Sequence, residues 1–349
     1  MGKKVNMDSS YAIRNINSND FFQLASSRER IKFLLQYAIL APSTHNSQPW
    51  LFKVGESSCK IFYDRSKQIL AADPIGRDLY VSFGCLLENM RIAAEYFRVF
   101  SRIRYLIDTE ENLVAEMFFR NLGSLESNEE YRHLIDAIVK RVNARGIFKD
   151  GPISQELQKI IANLNDFNGI HPHLVSDRQK ILQLAELTAE GLKIAYKSSA
   201  FRREMAQWIH HSLSRKKDGI PGYSLRMSLP VSFIFPTLVN FFNIGSQVAK
   251  LNYISVSSAP LIGIITTSEN NRENWLNVGR IFERITLTLY VAGVKTSIFV
   301  ASIEIGELYK KVQEIIGTSD IPQLLFCAGY MDFDQKPNLR FSVEEKLIQ

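Results

Sequence analysis

Cysteine is scarce in this chain: there are three in 349 residues, Cys59, Cys85 and Cys327. They stand far apart and form no C-x-x-C, so neither a zinc site nor a disulfide framework is indicated, and a reducing compartment fits. Blocks of one charge are also missing. The 42 Lys and Arg exceed the 36 Asp and Glu by a net +6 that reads as spread along the chain. That pattern argues against nucleic-acid binding and for a mild field that draws in phosphorylated small molecules. No stretch reaches the ~20 apolar residues of a spanning helix. Met1 to Ser18 lacks the continuous apolar run of a secretory signal, which leaves a cytoplasmic protein as the expectation. Leu229 to Ile244 carries Phe233, Phe235, Phe241 and Phe242 but is interrupted by Pro230, Pro236, Asn240 and Asn243. It is expected to be buried or interfacial, without stable membrane insertion. Low-complexity tracts are absent, and 46% hydrophobic content supports a globular core.

What is present is a polar loop set between a helix and a strand. Ile31, Leu34, Leu35, Ala38 and Ile39 recur at helical spacing, and Ser26 and Glu29 stand at capping-box spacing. Leu51 to Val54 reads as a strand, paired with Cys59 to Tyr63 across a Gly55 turn. Between helix and strand runs Ala41-Pro42-Ser43-Thr44-His45-Asn46-Ser47-Gln48-Pro49-Trp50. Its hydroxyls, amides and unpaired backbone groups suit a heteroaromatic ring with alternating donors and acceptors, or equally an ordinary helix-to-strand turn.

Further along, Leu79, Phe83, Leu86, Leu87, Met90, Ala93, Ala94 and Phe97 predict a central helix, with strands at 103–107 and 113–119. Helices are expected at 130–140, behind Ser154, and at 178–197, with a strand at 170–175. From Ser198 to Gly245 the periodicity loosens, as in an insertion that packs or covers a site. A strand at 260–266, helices at 274–292 and 303–316, and a strand at 324–330 complete the pattern. Val278 to Arg284 can be laid over Phe83 to Asn89, with Gly84 on Gly279 and Glu88 on Glu283, as an internal duplication requires.

The run Ala38 to Trp50 resembles the signature of the flavin-dependent nitroreductase family, A-P-S-S/T-x-N-x-Q-P-W at a helix end. Asp64 to Leu79, with Ser82-Phe83-Gly84, resembles the Acg branch, in which one chain holds two nitroreductase-like halves. The resemblance implies an α+β fold: an internally duplicated pseudo-dimer with mainly antiparallel sheets packed by long apolar helices. It implies a flexible tail at 1–26, a first half at 27–129 and a second at 130–349, with 198–245 as a candidate lid.

The resemblance also assigns residues. Pro42, Ser43, Thr44 and Asn46 match the loop that lies along FMN, whereas His45 falls at a variable position and receives no catalytic proton. Arg141-Val142-Asn143-Ala144-Arg145 resembles R-x-S-x-R/K, which places Arg141, Asn143 and Arg145 on the FMN phosphate, and Pro337 to Arg340 matches the tail that brings another arginine, Arg340, with Lys336 as a helper. Ser297, Phe299 and Val300 fall where the family chain passes the flavin edge. No catalytic side chain and no metal site are assigned; His171-Pro172-His173 and His210-His211 read as ordinary histidines. The first half has the ring loop but no phosphate grip, and the second the reverse, so one FMN per chain is expected. The implied activity is an FMN-dependent oxidoreductase that takes hydride from NADH or NADPH and passes electrons to a nitroaromatic, a quinone or a similar small-molecule acceptor by a ping-pong cycle. The alternative is a lidded FMN-sequestering protein with little reductase activity. Another flavin reaction, such as oxidation or dehalogenation, is a third reading. A pseudo-dimeric monomer is expected, open to further pairing.

Overall fold

The computed structural model describes residues 9–349. Helix α1 (Ser27–Ala38) opens with the expected capping box: Ser26 Oγ accepts from the Glu29 N–H (3.2 Å) and Glu29 Oε2 accepts from the Ser26 N–H (3.0 Å). Two of the amides that a helix start leaves open are thereby satisfied. Strands β1 (Trp50–Val54) and β2 (Ser58–Tyr63) form the expected hairpin. Helix α2 (Arg77–Tyr96) follows, buried on nearly every side, and then β3 (Phe100–Tyr105) and β4 (Leu113–Phe119). The sheet order is β1-β2-β4-β3, antiparallel throughout.

The remaining chain gives helices α3 (Arg132–Lys140) and α4 (Gln155–Ala162), then β5 (Ile170–Val175) and α5 (Arg178–Ala195). Next come α6 (Ser199–Trp208), the two-residue strands β6 (Ile209–His210) and β7 (Ile220–Pro221), α7 (Leu229–Phe241) and α8 (Gly245–Ser257). Strand β8 (Leu261–Thr267), helix α9 (Arg272–Val291), β9 (Lys295–Ile298), α10 (Ala301–Glu304), α11 (Leu308–Ile316) and β10 (Ile321–Gly329) close the series. The second sheet has the order β5-β8-β10-β9, again antiparallel, so it repeats the connectivity of the first. The single helix expected over 303–316 is two, because the chain turns at Gly306 with φ +58°.

Helices α2 and α9 are both 20 residues long and offset by 195 at each end, Arg77 to Arg272 and Tyr96 to Val291. They pack directly on each other at the two glycines that the sequence alignment paired. A Cβ on Gly84 would lie 2.0 Å from the Leu276 carbonyl, and one on Gly279 would lie 2.0 Å from the Val81 carbonyl. Since Val81 and Leu276 share the same offset, the contact is self-complementary, as at a two-fold axis. Only glycine allows the backbones this close.

Two departures matter for the site. Residues 9–26, expected as part of a flexible tail, pack onto the core through short 3-10 turns at Ser9–Arg14 and Ser18–Gln23. Phe21 is buried and stacks on Phe97, with centroids 4.0 Å apart, and Arg14 Nη1 donates to the Val139 carbonyl (2.6 Å). Residues 1–8 of that expected tail lie outside the described residues. The 198–245 insertion packs around its own small apolar cluster of Tyr196, Ile209 and Val239 and reaches over the polar loop. The carbonyl of Lys217 accepts from Asn46 Nδ2 (3.1 Å) and Gln48 Nε2 (2.6 Å).

Candidate functional site

The loop between α1 and β1 holds three non-glycine residues in the left-handed region: His45 (φ +53°), Asn46 (φ +57°) and Gln48 (φ +50°). Each costs on the order of 1 kcal/mol or more, so the surroundings must hold the loop in place. Gln48 does most of this. Fully buried, it donates to the carbonyls of Lys217 and Asn46, and its Oε1 accepts from the Phe341 N–H (2.9 Å). Its own N–H donates to Ser43 Oγ (3.0 Å), and its carbonyl accepts from Lys346 Nζ (2.8 Å). Asn46 Nδ2 also donates to Leu339 O (3.2 Å), which leaves its buried Oδ1 unpartnered. The signature asparagine and glutamine thus tie loop, roof and carboxy-terminal tail together. Burial and the nearby Arg145 push the His45 imidazole down to about 4, so it is neutral at pH 7.

Beyond this loop lies a cavity of about 230 Å³ whose wall includes Pro42, Ser43, Thr44 and Asn46 on one side. The same cavity gathers four arginines, Arg14, Arg141, Arg145 and Arg340, with Lys336 and Asn338 of the tail. Arg340 Nη1 donates to the Ala41 carbonyl (2.8 Å), and Arg141 Nε lies 3.4 Å from Glu283 Oε1, an ion pair without a formed hydrogen bond. The Nε atoms of Arg14, Arg141 and Arg340 are buried with no hydrogen-bond partner. Burial first, then repulsion, lowers two of them: Arg14 to about 10, through burial and Arg141, and Arg340 well below its ordinary value, through burial, Arg14 and Arg141. Such a group of donors wants an anion with several acceptor oxygens.

On the β9 side the expected residues divide between two faces. Successive residues of extended chain face opposite ways. Ile298 and Val300 reach the cavity wall, while Ser297 and Phe299 are not part of it. Phe299 packs in the apolar cluster on the other face of the sheet, and its N–H donates to the Leu325 carbonyl (3.0 Å). Ser297 is fully buried, with its Oγ unpartnered. Asn143 lines the cavity, but its Oδ1 accepts from the Ile298 N–H (3.2 Å), so it also fastens the arginine segment to β9. His171, read as an ordinary histidine without an acidic neighbour, has one from far along the chain: Nδ1 lies 2.6 Å from Asp320 Oδ2.

A carboxyl group cluster that sequence reasoning did not single out borders the loop. Asp78 lines the cavity and accepts from Thr44 Oγ1 (3.4 Å), and Arg77 lies between Asp78 Oδ1 (3.9 Å from Nε) and Glu304 Oε1 (3.5 Å from Nη2). Asp73 Oδ2 accepts from the Leu79 N–H (2.9 Å). One guanidinium cannot neutralise three carboxylates. Burial and then Asp78 push Asp73 up to about 7 and Glu304 well above its ordinary value, so the cluster retains a proton near neutral pH. Arg14, Gln48, Asp78 and Glu304 are the site residues missed in the sequence. Gln48 stood inside the signature run and Asp78 inside the run Asp64 to Leu79, whereas Arg14 and Glu304 left no such signal.

No family model matches this chain. It is 23% identical over 310 residues to the provisionally named NAD(P)H nitroreductase acg of Mycobacterium tuberculosis, covering 88% of this chain and 91% of that protein. It is 22% identical over 312 residues to the provisionally named NAD(P)H nitroreductase Rv3131 of the same organism, covering 88% and 87%. Among solved structures, the FMN and NADPH-dependent nitroreductase NfnB of a Sphingopyxis strain overlays on 62% of this chain and 98% of its own, with 15% identity and a TM-score of 0.41. Over most of its length, therefore, the chain is similar to nitroreductase-like proteins of the kind that Acg represents.

Proposed function

We propose that this chain is an FMN-dependent oxidoreductase that uses NADH or NADPH to reduce small electron-poor acceptors, nitroaromatics and quinones among them. The observation that carries the reading is the set of buried, unpartnered guanidinium donors facing the same cavity as the polar loop. The residues fit the cofactor: Arg14, Arg141, Arg145 and Arg340 would hold a phosphate dianion, while Pro42, Ser43, Thr44 and Asn46 would border a ring together with the apolar Val81, Ile298 and Val300. The bare Asn46 Oδ1 is an acceptor for a ring N–H. When bound, FMN supplies the hydride chemistry. The protein's part is to bind, orient and exclude water, and the Glu304 carboxyl group, across Arg77 from the cavity-lining Asp78, holds a proton near the loop.

The repeated sheet order and the α2–α9 glycine contact support an internally duplicated pseudo-dimer, with halves at 27–129 and 130–349. In that arrangement one chain completes one site in the cytoplasm without a partner. The roof supports the second reading, FMN sequestration: Ile220 and Ser224 line the cavity, and Lys217 is hydrogen-bonded to its loop.

A flavin absorbance spectrum, followed by anaerobic NADH or NADPH, separates these. Rapid bleaching that recovers with a nitroaromatic or quinone is the expected result. Bound flavin that stays oxidised favours sequestration. Failure to bind added FMN overturns both. Arg340→Gln is expected to weaken FMN at least tenfold and to leave riboflavin binding unchanged, which tests the phosphate end separately.

A further inference from the structure

Helix α7 is apolar on its outside. Ser232, Phe235 and Val239 turn inward onto the roof cluster, whereas 230, 233, 234, 237 and 241 form an outward stripe at helical spacing. Phe233 is 52% exposed, Ile234 55%, Phe241 70% and Phe242 60%. No charged residue occurs from Met227 to Ala249. A contiguous aromatic face of this kind on a soluble surface marks an interaction site.

The charge around it identifies the partner. Counted by segment, the basic excess is not spread evenly as the sequence first reads. Residues 198–257 hold Arg202, Arg203, Arg215, Lys216, Lys217, Arg226 and Lys250 against Glu204 and Asp218 alone, which is net +5 of the chain's +6. Both acids are committed inward: Glu204 accepts from the N–H groups of Leu70, Ala71 and Ala72, and Asp218 pairs with Lys67 at 2.6 Å. Of the basic residues, Lys217 pairs with Glu345 (2.7 Å) and Lys250 shares a groove with Glu186 and Glu190 of α5, which leaves Arg215 and Lys216 for the stripe. His211 stacks on Phe233, with centroids 4.5 Å apart, and the Ser212 N–H donates to Ser232 Oγ (3.0 Å), so the chain passes α7 just before the exposed Arg215 and Lys216.

We infer that α7 docks this protein on an anionic lipid surface, with its aromatic face at the headgroup boundary and Arg215 and Lys216 on the headgroups. No helix of the described residues is long and apolar enough to span a bilayer, so the contact is peripheral and reversible. A neutral apolar partner would not use the flanking charge, and a second copy would bring like charge against it. This inference does not depend on the cofactor assignment.

The test is co-sedimentation of the full chain with vesicles of phosphatidylcholine alone or of equimolar phosphatidylcholine and phosphatidylglycerol. Binding to the mixed vesicles alone, weakened by salt, is expected. The paired change Phe241→Ser, Phe242→Ser should lower the bound fraction about tenfold, and Arg215→Glu with Lys216→Glu should remove the preference for phosphatidylglycerol. All four positions are exposed, and unchanged circular dichroism confirms that the variants fold. Absence of binding to the mixed vesicles, or variants that bind like the parent, overturns the inference. So does a concentration-dependent dimer in solution that Phe241→Ser, Phe242→Ser abolishes, because a second copy then covers the face.

Discussion

Glu88 and Glu283 occupy matching positions four residues beyond the touching glycines of α2 and α9, yet their surroundings are opposite. Glu88 sits among Arg91 (2.7 Å), Arg284 (2.9 Å) and Arg280 (3.1 Å). These charges outweigh its burial and hold the carboxyl well below the usual range. Their other donors are also committed: Arg280 Nη1 donates to Tyr105 Oη (3.0 Å), and Arg284 pairs with Asp166. Glu283 has Arg141 at 3.4 Å, and Asn89 donates to its Oε1 (3.0 Å) once the amide is oriented to satisfy both of its neighbours. Burial prevails there and its carboxyl is raised. The cross-contacts correspond by the same offset of 195, Asn89 on Glu283 and Arg284 on Glu88. One framework therefore carries a closed ion cluster on one side and, on the other, a cavity whose four arginines have, among the described residues, a single carboxylate within 4 Å, Glu283. In the proposed duplication, arginine at 284, where the matching position has Asn89, fills the place of a second site.

The largest way to break this comparison is to remove one glutamate at a time. Glu88→Gln strands three guanidinium groups and is expected to cost about 3–5 kcal/mol in chemical denaturation. Glu283→Gln, where burial already disfavours the charge, is expected to cost about 1 kcal/mol or less. Equal losses would show that the two clusters are equivalent after all. Next come the glycines. Gly84→Ala and Gly279→Ala each drive a methyl into a helix backbone across the contact and should each cost about 1–3 kcal/mol. Because the contact is self-complementary, the two losses should match, and a mismatch in thermal midpoints would show where the two-fold relation fails.

A smaller and more selective contrast lies in the arginines. Arg14→Gln should weaken FMN about tenfold, roughly 1.4 kcal/mol, without changing riboflavin affinity, measured by equilibrium dialysis. The unliganded protein should be no less stable, since a repelling cation is removed while the amide can still donate to Val139. Arg280→Gln should do the reverse, lowering stability and leaving FMN affinity alone.

Much of this arrangement was legible because it is local or repeated. The capping box at Ser26, the hairpin after Trp50 and the Gly84–Gly279 pairing are patterns of spacing. The loop signature located Pro42 to Asn46 and the basic segment located Arg141 and Arg145, all now on one cavity wall. Arg14 was hidden because its segment is polar and aperiodic; only the fold brings it to the Val139 and Arg141 carbonyls. Ser297 and Phe299 differ from the cavity-lining Ile298 and Val300 by one residue of strand parity, which sequence alone could not fix without a partner register. Helix α8 was missed because Gly245 begins it and its exposed Leu251 and buried Ala249 blur the apolar stripe.

A last contrast distinguishes the two ends of α2 by pH. Asp73 rises from an ordinary 3.8 to about 7 in the folded protein, so the folded state keeps a proton that the unfolded chain releases. Its contribution is complete below about 4 and is lost as pH rises to about 7. Glu88 has the opposite sign: its depressed carboxyl stabilises above the ordinary glutamate range, and that stability is lost as pH falls below it. His45, lowered from 6.5 to about 4, binds its proton more readily when unfolded and so adds stability as pH rises from 4 to 6.5, partly masking Asp73. The useful quantity is therefore a difference. Asp73→Asn keeps an acceptor for the Leu79 N–H and removes the titration, so the stability of the variant relative to the parent should climb between pH 4 and 7 and then level off. A flat difference across that range would mean that Asp73 is ionised in the fold. The proton beside the loop would then rest on Glu304.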